Sequence, residues 1–373
     1  MSILAPSPDF VYGNTRLRAR KGALLGPDDY ETLLGRDVEG ITDALTTTAY
    51  HPEVEAMLAG KGNTSRLHQA LNQNLGRTLE ELRILYDGPA RTLVNLLLAR
   101  YDLHNLFVLL RGLLRTRPVD ELVAALVPIG VLGGDAANEI ARQQDQAAAV
   151  DLLVSWQLPQ PEVARTLARA WPEYERTQDV AALELALAAQ QARFIVRGLV
   201  DAGSSAWPLR QLIAREHDAT NALVVLRLRS ALDRGEFAEL PPAPGPGRFL
   251  PGGMIAEPAL EAALRQPTVS DAARKLAAEA RRDDWRAPLE RFAAGGDLPG
   301  LQRELERCRV RWAVGLFLRG DPLGLEIPIA YTTAKENEVR NLRLLVEASN
   351  GRTPTAELRM RLLLPWSETQ WGG

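Results

Sequence analysis

Few residues in this 373-residue chain have the type and spacing that bond-making chemistry requires. The run Gly60-Lys61-Gly62-Asn63-Thr64-Ser65 has the composition of a phosphate loop. It lacks the Gly-Lys-Ser/Thr order that sets the lysine and the magnesium-binding hydroxyl at a helix start, and no strand precedes it. It reads as a turn between helices. His51, His68, His104 and His217 are the only histidines, and their spacing sets no pair on one helical face. Zinc needs converging ligands, so this set predicts no metal site. Asp28-Asp29-Tyr30-Glu31 and Asp283-Asp284 are the segments closest to the magnesium-holding aspartates of all-helical pyrophosphate enzymes. Those enzymes need carboxylates one turn apart on facing helices. Asp28 and Asp29 instead follow Gly26-Pro27, which reads as a helix N-terminus, where negative charge is favoured. Asp283-Asp284 follows Arg281-Arg282 and reads as a solvated, self-paired turn. Cys308, in Glu304-Leu305-Glu306-Arg307-Cys308-Arg309, reads as a half-buried helix residue with no activating base beside it. Together these residues predict no catalytic centre and no cofactor.

The net charge of −3 and an isoelectric point near 6.0 argue against a nucleic-acid partner. Phosphate contacts supply most of such a protein's affinity and leave a basic field on its surface. The densest basic cluster is Arg16, Arg18, Arg20 and Lys21. It has two readings: an interface for acidic loops or anionic head groups, or a solvated helix face.

The elements that carry these residues are predicted to be helical throughout. Hydrophobic residues make up 46% and charged residues 24%, the balance of a globular protein. Ala and Leu dominate and β-branched runs are scarce, which favours helix over strand and predicts an all-α class. A lone cysteine forms no intramolecular disulfide and fits a reducing cytosol. Residues 1–10 have neither the basic start nor the apolar core of a signal peptide. The uncharged stretch 122–134 is about a dozen residues long, against roughly 20 for a spanning helix. Any membrane role is therefore expected to come through a partner.

Three helical segments read alike. Superposing Asn105, Asn221 and Asn341 brings Asp102, Asp218 and Glu338 into one column, with Leu103, Ala219 and Val339 in the next. The register extends outward. Asp201 matches Asp321, Pro208 matches Pro328 and Glu216 matches Glu336, while Pro118, Glu121 and Leu122 match Pro354, Glu357 and Leu358. Gly133-Gly134 and Gly252-Gly253 follow the first two segments, displaced by an insertion in the Pro/Gly-rich linker at residues 241–253. A unit of about 120 residues is far longer than the common solenoid periods. The expected organisation is three helical repeats, residues 1–130, 131–250 and 251–373, around a central hollow or in a curved stack. In the first, Leu103, Leu106, Phe107, Leu110, Leu113 and Leu114 share one predicted face, Asn105 and Gly112 lie on another stripe, and His104, Arg111 and Arg115 are polar. The asparagines have two readings: contacts lining a cavity, or buried amides bonded to a neighbouring helix.

The same residues carry a family resemblance. Ala334-Lys335-Glu336-Asn337-Glu338-Val339-Arg340-Asn341-Leu342-Arg343 resembles the most recognisable string of the C subunit of the prokaryotic V/A-type rotary ATPases, itself similar to the d subunit of the vacuolar enzyme. Tyr101-Asp102-Leu103-His104-Asn105-Leu106 with Leu109-Leu110-Arg111-Gly112 resembles its first-copy version, and Tyr12, Arg16-Leu17-Arg18-Ala19-Arg20, Asp29-Tyr30 and Thr48-Ala49-Tyr50 also fit. Phe107 stands where a lysine is common. The resemblance spans residues 12–364. It implies a funnel-shaped, three-fold pseudo-symmetric body seated on the cytoplasmic end of the membrane proteolipid ring, with the central shaft received in its cavity. Such a protein has no nucleotide site and contributes to torque transmission in ATP-coupled proton or sodium transport. The rival expectation is an all-helical scaffold that binds another protein partner in its hollow.

Overall fold

The structure, a computed structural model, describes residues 9–58, 64–236, 239–240, 247–349 and 353–364. Among them no strand occurs. After α1 (Val11–Arg20) come three short helices, α2 (Pro27–Leu33), α3 (Val38–Leu45) and α4 (His51–Leu58), then the long α5 (Thr64–Arg83). The next long element is broken at Ala99 into α6 (Gly88–Leu98) and α7 (Arg100–Leu114), followed by α8 (Val119–Ala125). The order recurs as α9 (Asp135–Ala141), α10 (Gln146–Ser155), α11 (Pro161–Thr177), α12 (Val180–Asp201) and α13 (Trp207–Asp233). It recurs again as α14 (Glu257–Leu264), α15 (Val269–Glu279), α16 (Asp283–Ala293), α17 (Leu298–Arg319) and α18 (Glu326–Ala348), closed by α19 (Thr355–Arg361).

Local chemistry repeats with the order. The second short helix of each set begins on a side-chain cap. Asp37 accepts from Gly40 N–H at 2.8 Å, Asp145 from Ala148 N–H at 2.8 Å, and Thr268 from Asp271 N–H at 3.1 Å. Such a cap satisfies one orphan donor and stabilises its helix by about 1 kcal/mol. Helices α8 and α19 each have 7 residues and each follow a proline, Pro118 and Pro354, whose fixed φ suits a helix start.

Two compact units divide the chain, Met1–Pro161 with Ala313–Gly373, and Glu162–Trp312. In the first, α5 packs along α18. Helix α5 buries Leu67, Ala70, Leu71, Asn74, Thr78 and Leu82 on one stripe at three- and four-residue steps. Helix α18 is buried around most of its circumference, from Ile327 to Val346. The second unit has a core of Leu226, Leu260, Leu276, Trp285, Leu289 and Leu301, contributed by α13 to α17.

Residues 88–114 are long and apolar enough, by length and composition, to cross a bilayer. They form the α6–α7 pair and bury Leu93, Val94, Leu97, Leu106 and Leu109 inside the protein, as a core element does. Helix α7 differs from the predicted face. Its buried stripe runs through Asp102, Asn105, Leu109 and Gly112, while Leu103, Phe107, Leu113 and Leu114 are half-exposed. Gly112 sits where a Cβ would strike Leu122, so α8 lies directly on that stripe. The polar residues go inside because the following chain satisfies them.

Candidate functional site

Each aligned asparagine holds the backbone of the segment that follows its helix. Asn105 Nδ2 donates to the Val127 carbonyl at 2.8 Å and its Oδ1 accepts from Val127 N–H at 3.0 Å. Asn221 makes the same pair with Leu250, at 2.9 and 2.8 Å. Asn341 makes it with Leu363, at 2.8 and 3.2 Å. All three are at most 1% exposed. The expected bond to a neighbouring helix is corrected: the partner is non-helical backbone, whose N–H finds its acceptor in the asparagine amide.

The acid one turn earlier holds the chain a few residues further on. Asp102 accepts from Leu132 N–H at 3.0 Å and Asp218 from Ile255 N–H at 3.0 Å. Gly130 and Gly253 stand two residues before those donors, where a Cβ would collide with the Asp102 or Asp218 carboxylate. Gly130 has φ +77° and Gly253 lies at the matching place, so these two correspond, in place of Gly133-Gly134 with Gly252-Gly253. Glu338, the third acid, accepts from Leu25 N–H at 2.5 Å, just before α2.

The three carboxylates differ in their cations. Glu338 Oε1 takes Lys335 Nζ at 2.7 Å and Tyr50 Oη at 2.7 Å, and the ammonium lies 3.9 Å from the Tyr50 ring centroid. Lys335 is 2% exposed, and burial pushes its ammonium down against the opposing pull of Glu338. Burial also raises the Tyr30 and Tyr50 phenols. Asp218 takes Arg282 Nη2 at 3.0 Å; burial raises its carboxyl, and the Ile255 N–H and Arg282 oppose that rise. Asp102 has the Leu132 and Val131 N–H groups, and burial pushes it up to about 6.

The basic cluster divides. Arg20 pairs with Glu81 at 3.0 Å and Lys21 lies 5.2 Å from the Phe317 ring centroid, while Arg16 and Arg18 are exposed. Glu81 continues to Arg77 and Glu53, so α1, α4 and α5 share one ion-pair chain. Asp29 Oδ2 accepts Gly26 N–H at 2.7 Å at the start of α2, as an N-terminal acid should. Asp284 is not self-paired. It takes Arg215 of α13 at 2.8 Å, and Arg282 goes to Asp218, charge-assisted bonds that give each guanidinium an acid. Cys308 is half-buried, its Sγ 3.1 Å from the Asp284 carbonyl, and burial raises its thiol. Residues 60–63 of the glycine-lysine run and 241–246 of the Pro/Gly-rich linker lie outside the described residues; Thr64 and Ser65 open α5. No three His, Cys, Asp or Glu converge on a metal position among the described residues. A groove of about 830 Å³ runs between α11 and α12, lined by Arg169, Tyr174, Leu183, Ala186, Gln190 and Arg193 among others.

The sequence places the acids and asparagines in columns but does not disclose the roles of Lys335, Tyr50 and Arg282. Lys335 offers one signal, as one of four lysines among 44 basic residues.

Residues 13–360 match the family described as ATP synthase (C/AC39) subunit. The chain is 29% identical over 359 residues to the C subunit of the V-type ATP synthase of Thermus thermophilus, covering 96% of this chain and 99% of that one. It is 26% identical over 348 residues to the C subunit of the A-type ATP synthase of Haloferax volcanii, covering 91% and 92%. It is 26% identical over 355 residues to the C subunit of the V-type ATP synthase of Deinococcus radiodurans, covering 94% and 90%. With nearly its whole length matched, this chain belongs to the ATP synthase (C/AC39) subunit family.

Proposed function

We propose that this chain is the C subunit of a V- or A-type ATP synthase and acts as its non-catalytic central-stalk connector. In this role it links the membrane proteolipid ring to the central shaft and passes torque between ATP chemistry and proton or sodium movement. The observation that carries the reading is the family match over residues 13–360, joined to one seat geometry built three times, at Asn105, Asn221 and Asn341. A torque-bearing part must be stiff, and fully satisfied buried polar seats rigidify the backbone they hold. Three repeats, residues 1–130, 131–250 and 251–373, form a funnel around the shaft in this reading. The protein sits at the cytoplasmic face of the membrane without entering it. Arg16 and Arg18 are the contacts offered to acidic loops of the ring, because Arg20 and Lys21 are engaged within the protein.

Native mass spectrometry of the purified chain with detergent-solubilised ring, and separately with shaft proteins, tests the reading. One-to-one complexes with both are expected. Binding to neither, with the ring intact, would remove the connector role and leave an adaptor for another protein, with the α11–α12 groove as its first contact to map.

A further inference from the structure

The three acid seats are equivalent in backbone and unequal in charge. Glu338 holds Lys335 and Asp218 holds Arg282, each at hydrogen-bond distance. Asp102 is 8% exposed and accepts from Leu132 N–H, with no cation on its carboxylate among the described residues. The charged groups on the elements packed against α7 turn elsewhere. Arg91 of α6 pairs with Asp87 at 2.9 Å. Asp120 and Glu121 of α8, Asp135 and Glu139 of α9, and Asp151 of α10 lie toward the surface. On α7 itself Arg100 takes Glu336 at 2.8 Å, and His104 and Arg111 are exposed. Glu336 of α18 also receives the Tyr101 hydroxyl.

A carboxylate in that position is costly when ionised, because two backbone N–H groups replace only part of its hydration. The cost is relieved by a proton or by opening the seat to water. We propose that Asp102 makes the joint between α7 and the turn at residues 130–132 proton-responsive, tightening in mild acid and loosening toward alkaline pH. The direction follows from linkage. The closed joint holds the Asp102 proton more firmly than an opened one does, so acid favours closure and the advantage is lost as pH rises through about 6. The other two joints are braced by their cations. Of the three acids, Asp102 is the one whose charge no side-chain cation balances among the described residues, so the first joint is the one that loosens most as pH rises. This inference stands apart from the connector role, since it concerns only the closure of a turn within the chain.

Hydrogen exchange of the full chain, corrected for the intrinsic pH dependence of amide exchange, tests it. Protection at Val131 and Leu132 is expected to fall about tenfold between about pH 5 and about pH 7.5, if opening returns Asp102 to an ordinary carboxylate. Asp102→Asn should abolish that change, since the amide keeps an acceptor and loses the charge. Met254 and Ile255, under Asp218 and Arg282, should change less in the same sample. A flat wild-type profile at 131–132, an equal response at both joints, or an unchanged response in Asp102→Asn overturns the proposal. The comparison of the two wild-type joints decides the matter even where the variant does not fold.

Discussion

Glu338 accepts the backbone N–H of Leu25 at 2.5 Å, across 313 positions of chain. Asp102 and Asp218 take their N–H groups from residues only 30 and 37 positions downstream. Leu25 precedes α2 as Leu132 precedes α9 and Ile255 precedes α14. The start of the chain thus stands to α18 as α9 stands to α7 and α14 to α13. At this seat no short chain connection holds the two sides together, and the bonds among Lys335, Glu338, Tyr50 and Leu25 take its place.

The first prediction follows from that burden. Glu338→Ala leaves the Lys335 ammonium buried without its acid and frees both Tyr50 Oη and Leu25 N–H. Breaking a buried pair from one side costs about 3–5 kcal/mol. Urea unfolding should show a loss of that size. Removing both charges, as Lys335→Met with Glu338→Gln, should recover part of it, because the isolated charge is gone. A single-variant loss below about 1 kcal/mol would mean the seat is held by apolar packing alone.

The asparagines should behave alike despite their distance in sequence. Asn105→Ala, Asn221→Ala and Asn341→Ala each take one partner from a backbone N–H and one from a backbone C=O. Each is expected to cost about 2–4 kcal/mol, from two buried groups at about 1–2 kcal/mol apiece. Asn105→Ala and Asn341→Ala should sit at the lower end, since Ile129 N–H also donates to the Val127 carbonyl at 2.8 Å and Asn337 to the Leu363 carbonyl at 2.7 Å. Thermal unfolding of the three variants side by side checks this. A near-neutral Asn105→Ala would show that its hydrogen bonds are replaceable by water.

How far this site is legible in the sequence depends on the range of each interaction. The columns of Asp102, Asp218 and Glu338 are visible because a repeated helix repeats its residues. Their partners are not. Asn105 and Asn341 reach 22 positions on and Asn221 reaches 29, and backbone acceptors leave no residue-type signature. The glycine pairing misleads for the same reason: the carboxylates fix Gly130 opposite Gly253, while dipeptide similarity favours Gly133-Gly134. Tyr50 meets Glu338 across 288 positions, beyond any periodicity. Asp28-Asp29 is readable because a helix start is local, whereas Asp284 finds Arg215 on another helix. The all-α class needs only composition and period.

His217 sets a pH response opposite to that of Asp102. Its Nδ1 lies against the Pro251 carbonyl, so the neutral ring donates there. Burial pushes the imidazole below its ordinary value, opposed by Pro251, Glu216 and Asp218. The unfolded ring binds a proton more readily than the folded one. Its contribution is therefore present above about pH 6.5 and lost as pH falls below it. Between about pH 7.5 and about pH 5.5, wild type should lose more stability than His217→Gln, whose amide can donate to Pro251 without titrating. Equal losses in chemical denaturation would place the acid sensitivity elsewhere.

Arg282→Met converts the second acid seat into the condition of the first. Asp218 is 1% exposed and would keep Ile255 N–H while losing the guanidinium at 3.0 Å. Two effects follow. Stability near pH 7 should fall by about 3–5 kcal/mol, the cost of an unpaired buried charge. The loss should also shrink in acid, because protonation of Asp218 removes the charge that Arg282 had balanced. Arg282 lies over Trp285 at 5.4 Å, so methionine retains apolar contact with the ring and the electrostatic part of the loss dominates. Urea midpoints for wild type and variant at about pH 5 and about pH 7.5 separate these effects. A loss of the same size at both values would mean that packing on Trp285, rather than the charge of Asp218, accounts for the role of Arg282.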